Sequence, residues 1–317
     1  VTVGFDDEGR LLALRDRFVH DTGAYTPRGL VVPLLTASML SGPYRIPAVE
    51  STFESRYTHR VPVTPYRGAG QPQAVFVIER VLDLVARETG RDRAQVRLAN
   101  LVRAQDMPWD TGLPNYRGSG HVILDSGDLP SVLRRALEGA RYEARVEEAR
   151  RARADGRLLG VGVAAYVELT GVGPFESARV RIDAAGRISA WSGVTTQGQG
   201  LETTLAQVAA DELGVTPPEV SVVTGDTAGV EHGTGSFASR AAVVGGSAIA
   251  LAARDVHAKA RRLAAQALGV GEGDLEQRGA AFSDRRRPER RVTFAELARV
   301  AGAATAALGV EPGLEAT

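Results

Sequence analysis

The stretch TTQGQGLETTLAQVAADELG, residues 195–214, is a glycine-hinged loop that runs straight into an amphipathic helix. Leu205, Val208 and Leu213 fall on one face of that helix, predicted over 201–213. A helix mouth carries unpaired backbone N–H groups and the positive end of the helix dipole, so it suits an anionic ligand. Gly198 and Gly200 let the backbone approach closely, and the amides of Gln197 and Gln199 both donate and accept. Plain chain reversal also uses glycines in this way, so the loop alone leaves both readings open.

Working outward, EVSVVTGD (219–226) reads as the following strand. Ahead of the loop, ARVRIDAAGRISAWSGV (178–194) alternates and breaks at DAAG, the pattern of a β-hairpin. The chain opens on the same design, with residues 1–25 broken at DDEG. There the helix is PQAVFVIERVLDLVARETG (72–90), with Val77, Val81, Leu84 and Val85 on the inward face and Gly90 as the stop. A third helix, 241–268, begins rich in Ala and Gly, which implies a neighbour packed close to its backbone; 280–302 reads as a further hairpin and short helix. The apolar run LVVPLLTASML (30–40) contains Pro33 and is about half a membrane span, so it reads as a buried segment. RYEARVEEARRARADGR (141–157) is a solvated helix face. The turn-rich stretch 102–130 sets a boundary near residue 120, giving two α+β units, 1–120 and 121–317.

The 38 basic and 38 acidic side chains cancel, so no global field draws the chain to nucleic acid or an anionic membrane. With no cysteine, the chain itself has no disulfide, thiolate ligand, iron–sulfur cluster or thiol nucleophile. The five histidines, at 20, 59, 121, 232 and 257, lack metal-ligand spacing. No signal peptide opens the sequence, and a cytoplasmic location is expected. The start at Val1, in mid-strand, leads to the expectation of a piece of a longer polypeptide. Glu79 and Asp83, at i, i+4 beside Arg80 and Arg87, are expected to form surface ion pairs.

Three glycine-rich loops each feed a helix: TPYRGAGQPQ (64–73), the QGQG loop, and HGTGSFASR (232–240). Together they would suit one large ligand with several polar and phosphate groups. Arg67 is either a ligand residue or a structural arginine tying loop carbonyls, and Ser239 is either a ligand contact or a helix cap.

YRGAGQPQAVFVIERVLDLVARETGRDRAQVRLANLV (66–102), GPYRIP (42–47), VELTGVGPFESARV (167–180), GQGLETTLAQVAADELGV (198–215), VVTGDT (222–227) and GTGSFASRAAVVGGSA (233–248) carry a resemblance over nearly the whole chain. In this order they closely resemble the molybdenum-binding large subunit of the xanthine dehydrogenase, aldehyde oxidase and carbon monoxide dehydrogenase family. The resemblance implies an α+β fold of two mixed α/β units of the molybdopterin-binding type, each with β-hairpins and packed helices. It implies that Gly198, Gln199 and Gly200 hold the pterin and the molybdenum centre from one side. Arg67 and the Gly68 backbone would lie at the molybdenum, with Arg67 the one catalytic residue expected here. Phe237, Ala238 and Ser239 would flank the active site with their backbone, and the helix start after them would take a dinucleotide phosphate. Pterin dithiolene sulfurs hold the molybdenum, so the protein supplies no metal ligand. The implied cofactor is molybdopterin in its cytosine dinucleotide form, with iron–sulfur clusters and FAD on partner subunits or domains. The implied reaction is oxidative hydroxylation with water-derived oxygen, assisted by a glutamate base.

The departures are informative. Carbon monoxide dehydrogenases proper carry a cysteine in the arginine loop; Ala69 stands there, so that activity is not expected. The family's base glutamate lies downstream of every matching motif, and Glu272, in a GEG surface turn at 271–273, is not accepted in its place. The 317 residues alone are therefore expected to be inactive. In purine-oxidising relatives a substrate-gripping arginine precedes the tyrosine of the Tyr-Lys/Arg-Ile-Pro segment by nine residues; an ungapped count back from Tyr44 lands on Leu35. Leu35 and Ala69 are the expected substrate-pocket residues, favouring an aldehyde or aromatic heterocycle. A non-catalytic pterin-binding or assembly module of the same fold remains an alternative, as does an unrelated α+β enzyme with a phosphate ligand.

Overall fold

One turn chemistry closes both expected hairpins. Asp6 accepts from the N–H of Glu8 (3.1 Å) and Arg10 (2.8 Å), and Asp183 from those of Ala185 (2.9 Å) and Arg187 (3.1 Å). Gly9 and Gly186 follow at φ 76° and 83°, a region that favours glycine. The computed structural model describes residues 1–26, 28–116, 118, 120–171, 173, 175–307 and 312–317, which form two compact units, Val1–Glu168 and Leu169–Thr317.

In the first unit, β1 (Thr2–Phe5) pairs antiparallel with β2 (Leu11–Gly23). The run 30–40 supplies α1 (Val31–Ser38), and the chain returns as β3 (Ala48–Tyr57), parallel to β2, with Phe18 stacked on Phe53 at 5.5 Å. The sequence reading lacks this strand. A parallel neighbour needs a crossover rather than a tight turn, so no local turn signal marks it. Then come α2 (Gln71–Glu88), α3 (Arg93–Asn100), the antiparallel pair β4 (Trp109–Pro114) and β5 (His121–Leu124), α4 (Leu129–Gly139) and α5 (Tyr142–Ala154). As expected, α5 is a solvated helix, with Ala152 its one buried residue. Asn100 ties the first turn to α3, accepting from Leu11 N–H and donating to Gly9 O, both at 2.8 Å.

The inward face of α2 differs from the expectation. Ile78 and Leu82 are buried with Val81 and Val85, while Leu84 is 42% exposed. Glu79 is no surface residue either: it is 6% exposed. Its carboxylate takes the hydroxyl of buried Tyr44 and, at 2.7 Å, Nε of Arg97, which is 0% exposed. Arg97 also donates to Asp83 Oδ1 (2.9 Å), Glu79 O (3.1 Å) and Arg93 O (3.1 Å). Only Asp83 keeps a helix-surface partner, Arg80 at 2.7 Å. Burial and the Glu79 carboxylate push the Tyr44 phenol well above its ordinary value, so it remains a donor.

The expected division near residue 120 and the compact units do not coincide. β5 completes the pair with β4, and Leu133, with Leu129, Leu137, Val163 and Ala165, packs on the first core. Packing thus carries the first unit on to Glu168.

The second unit holds β6 (Ala178–Ile182), β7 (Ile188–Ser192), α6 (Leu201–Leu213), β8 (Val220–Thr224), α7 (Gly246–Leu268), β9 (Leu275–Gln277), β10 (Ala281–Asp284), β11 (Arg287–Thr293), α8 (Phe294–Ala307) and β12 (Glu315–Ala316). One sheet runs β12-β6-β7-β8, with β7 and β8 parallel, and another runs β11-β10-β9. The small residues meet as expected, with Ala206, Ala209 and Ala210 of α6 buried in one core with Ala252 and Ala253 of α7. The helix expected from 241 opens instead as a π-helical turn, Ala241–Gly245. A Cβ on Gly245 would lie 3.0 Å from Val194, so this turn runs close against the strand end. Among the described residues no helix is long and apolar enough to cross a membrane.

Removing Arg97 strands the Glu79 carboxylate away from water and leaves Asp83 only its surface partner Arg80. Arg97→Met is expected to cost about 3–5 kcal/mol in chemical denaturation, because a buried pair broken on one side leaves an uncompensated charge. Arg80→Ala, at an exposed partner of Asp83, is expected to cost less than about 1 kcal/mol. Equal, small losses would show that the first unit does not depend on the buried network.

Candidate functional site

Two of the three loops are bound together in the second unit. Gly193, just past β7, and Gly233 cross in close contact: a Cβ on Gly193 would lie 2.6 Å from Gly233 Cα, and one on Gly233 would lie 2.7 Å from Gly193 O. Ser236 clips the loops, accepting from Thr195 N–H (3.0 Å) and donating to Thr195 O (2.5 Å). Gln197 adds a bond from its side-chain amide to Ser236 O (3.2 Å). Gln199 Oε1 accepts from Gln197 N–H at 2.6 Å, which closes the QGQG turn on itself. Gly198 and Gly200 sit at φ 86° and 76° with open space where a Cβ would be. Residues 195–200 and 237–239 are exposed.

Beneath the exposed tips lies a buried ion pair that the sequence reading passed over. Glu176 and Arg240 side chains are both 0% exposed. Arg240 Nη1 donates to the Glu176 carboxylate and to Gly235 O (2.8 Å), and Nη2 donates to Phe175 O. Glu176 also accepts from Thr234 N–H (3.0 Å) and Gly235 N–H (3.3 Å). The Arg240 guanidinium lies 5.5 Å from the centre of the Phe237 ring. Ala238 and Ser239 take φ 50° and 52°, a strained conformation for residues with a Cβ. The signal available in the sequence was a charge inside each small-residue run, Glu176 in GPFES (173–177) and Arg240 in GTGSFASRAA (233–242).

The third loop belongs to the first unit. Gly68, Ala69 and Gly70 all have positive φ (90°, 49° and 110°). A Cβ on Gly70 would meet Val32 O at 2.1 Å, and Thr36 Oγ1 donates to Gly70 O at 2.9 Å, so the loop is moulded on α1. Arg67 is exposed and forms no hydrogen bond or ion pair among the described residues, so the carbonyl-tying role finds no support. Of the four non-glycine residues at positive φ among those described, three lie in these loops: Ala69, Ala238 and Ser239. Strained backbone of this kind clusters at functional sites.

The helices behind the loops are uncapped by side chains. Neither α2, α6 nor the π-helical turn before α7 has a side-chain cap bond, and the capping position of that turn is Arg240, not Ser239. By contrast, Asp92 caps α3 and Asp128 caps α4. Glu202 in the first turn of α6 offsets part of its attraction for an anion, so that mouth acts by hydrogen bonding more than by charge.

Leu35 is 4% exposed inside α1, while Leu34 is 37% exposed; the counted position therefore faces the unit's interior. Glu272 lies in a 3-10 turn outside the core, as expected. Among the described residues no cluster of His, Asp and Glu is arranged to hold a metal ion. A groove of about 1200 Å³ lined by α3, α4 and α5 shares no residue with the loops.

Two family profiles, both described as molybdopterin cofactor-binding domain, match residues 1–101 and 135–317. The chain is 37% identical over 316 residues to the 6-hydroxypseudooxynicotine dehydrogenase complex subunit gamma of Paenarthrobacter nicotinovorans, covering 99% of this chain and 39% of that protein. It is 36% identical to the carbon monoxide dehydrogenase large chain of Hydrogenophaga pseudoflava, over 98% of this chain and 40% of that one. The crystal structure of quinoline 2-oxidoreductase from Pseudomonas putida 86 superposes with a TM-score of 0.86 at 32% identity, covering 99% of this chain and 41% of that chain. The chain thus spans about two fifths of the length of these relatives.

The Ser236 clip is open to a direct test. Ser236→Ala is expected to lose about 1 kcal/mol and to speed amide exchange at Thr195 and Gln197 while α6 keeps its protection. Unchanged exchange there would show that the loops are not coupled through this hydroxyl.

Proposed function

The chain belongs to the molybdopterin cofactor-binding family and is the cofactor-binding portion of a molybdenum hydroxylase, and from that premise we propose that its whole polypeptide oxidises an aldehyde or aromatic heterocycle with water-derived oxygen. The observation that carries the site assignment is the locked loop pair, with exposed amides above, strained Ala238 and Ser239, and an uncapped helix start behind. This donor set fits a pterin with phosphate groups: neutral amides for the ring edges and open helix N-termini for the anion. The bound cofactor supplies the two-electron oxidation and the activation of water.

On this reading Gly198 and Gly200 allow close backbone approach, and the Gln199 side-chain NH2, its oxygen already used by Gln197, donates to the cofactor. The backbone of Phe237, Ala238 and Ser239 lines the same ligand. In the first unit, Arg67 projects from the rigid Gly68-Ala69-Gly70 turn with its charge free for the reacting centre, and Ala69 leaves room for substrate. The two contributions fall within 1–120 and 121–317. We assign the cofactor as the cytosine dinucleotide form, the electron path to partner iron–sulfur and flavin components, and the location to the cytoplasm. Two of the relatives' names, quinoline 2-oxidoreductase and 6-hydroxypseudooxynicotine dehydrogenase, fit an aromatic nitrogen heterocycle, while the third relative is a carbon monoxide dehydrogenase large chain. Ala69 offers no sulfur in the arginine loop.

The full-length protein is expected to carry near-stoichiometric molybdenum and to release a cytidine nucleotide on acid treatment; lack of both would contradict the reading. Arg67→Ala is expected to abolish most turnover at an unchanged melting temperature, since the side chain supports nothing in its unit, and wild-type turnover would remove Arg67 from the site. A screen of quinoline, aromatic aldehydes and hypoxanthine is expected to show turnover of one of the first two classes. Efficient hypoxanthine oxidation would overturn the substrate assignment.

A further inference from the structure

Resting on that functional reading, we propose that the buried Glu176–Arg240 pair is the positioning device of the 232–239 loop: it turns the Thr234 and Gly235 amides inward and fixes where the exposed 237–239 segment meets the cofactor. A loop rich in glycine has no preferred shape of its own, and something must select one. Here an internal carboxylate plays the part that an anion plays in a ligand-binding loop. Glu176 gathers Thr234 N–H, Gly235 N–H and the Arg240 guanidinium around one carboxyl group. Those two amides are spent on the protein and are not donors to a ligand. Thr234 Oγ1 closes the circuit by donating to Phe175 O at 3.0 Å, beside the same carboxylate.

Arg240 then hands the constraint to the tip. Its side chain holds Gly235 O and Phe175 O and lies over the Phe237 ring, while its own carbonyl accepts from Val244 N–H (2.7 Å) and Gly245 N–H (3.3 Å). One residue thus fixes both the loop and the π-helical turn behind it. Ala238 and Ser239, between these anchors, hold φ 50° and 52°, which persist only where the surroundings over-determine them. The planar fork matters, because a lysine carries the charge but not several donors in one plane.

The pair is also electrically neutral, and that gives the proposal a signature that mere support lacks. With both partners present, no net charge lies under an anion-binding loop. Arg240→Met leaves a bare buried carboxylate beneath the ligand; Glu176→Gln leaves a bare cation there. Loss of support alone treats the two alike, whereas positioning under an anionic ligand separates them by sign.

The test uses the full-length protein as isolated, with pterin released by acid oxidation and read by fluorescence, and with amide exchange followed by peptide. Arg240→Met is expected to retain roughly a tenth of the wild-type pterin and Glu176→Gln roughly a third or more. In both, exchange at 232–239 rises while α6 and α7 stay protected. Arg240→Lys is expected to recover pterin beyond Arg240→Met, with the loop still exchanging faster than wild type. Wild-type pterin in Arg240→Met would overturn the proposal. So would equal pterin loss in both charge variants with deprotection of α6 and α7, which is the mark of a purely structural pair. If Arg240→Met does not fold, the isosteric Glu176→Gln decides alone: unchanged loop exchange overturns the proposal. Wild-type protein without any pterin would overturn the functional reading instead, and the exchange result would still decide whether the pair shapes the loop.

Discussion

A guanidinium cut off from water must find acceptors for its donors inside the protein, and each unit of this chain is organised round one such group. Arg97 and Arg240 are both 0% exposed. Arg97 draws Glu79, Asp83 and two carbonyls onto one point between α2 and α3. Arg240 does the same with Glu176 and the carbonyls of Phe175 and Gly235. Such pairs are poor sources of net stability, since well-packed apolar side chains often do as well. Their effect is to select one geometry, because any rearrangement strands a charge.

That selection explains how glycine-rich loops can serve as a binding surface. Glycine permits the close approach of 193 to 233 and of 70 to 32, but it opposes nothing else. The rigidity comes from below, through Ser236, Glu176 and Arg240 in the second unit and through Thr36 in the first. The tips stay solvent-facing. The uncapped helix starts follow the same logic, since a side-chain cap would occupy the donors a ligand needs.

Local rules read well from the sequence and tertiary ones did not. Both Asp-and-Gly hairpin turns, α6 and the solvated α5 depend on neighbours within a few residues, and the structure has them where the pattern predicts. β3 was missed because its partner β2 lies across a helical crossover. Glu79 was misread because the i, i+4 rule sees only its own helix, whereas Arg97 is 18 residues away. Glu176 and Arg240 stand 64 residues apart, beyond the reach of any local spacing rule. The exposed loops could be chosen from their glycines, and the resemblance gave them a ligand, but what holds them rigid is long-range and leaves no periodicity. Leu35, found by counting along the sequence, is buried in α1.

The most direct measurement is a crystal structure of the full-length protein with anomalous data at the molybdenum edge. A pterin is expected with its phosphate groups against the backbone of 237–239 and the Gln199 side-chain amide within hydrogen-bond distance of the pterin or the metal's oxygens. Glu176 would still hold the Thr234 and Gly235 amides below. An anomalous peak far from these loops, or a cofactor bonded to the Thr234 and Gly235 amides in place of Glu176, would contradict it.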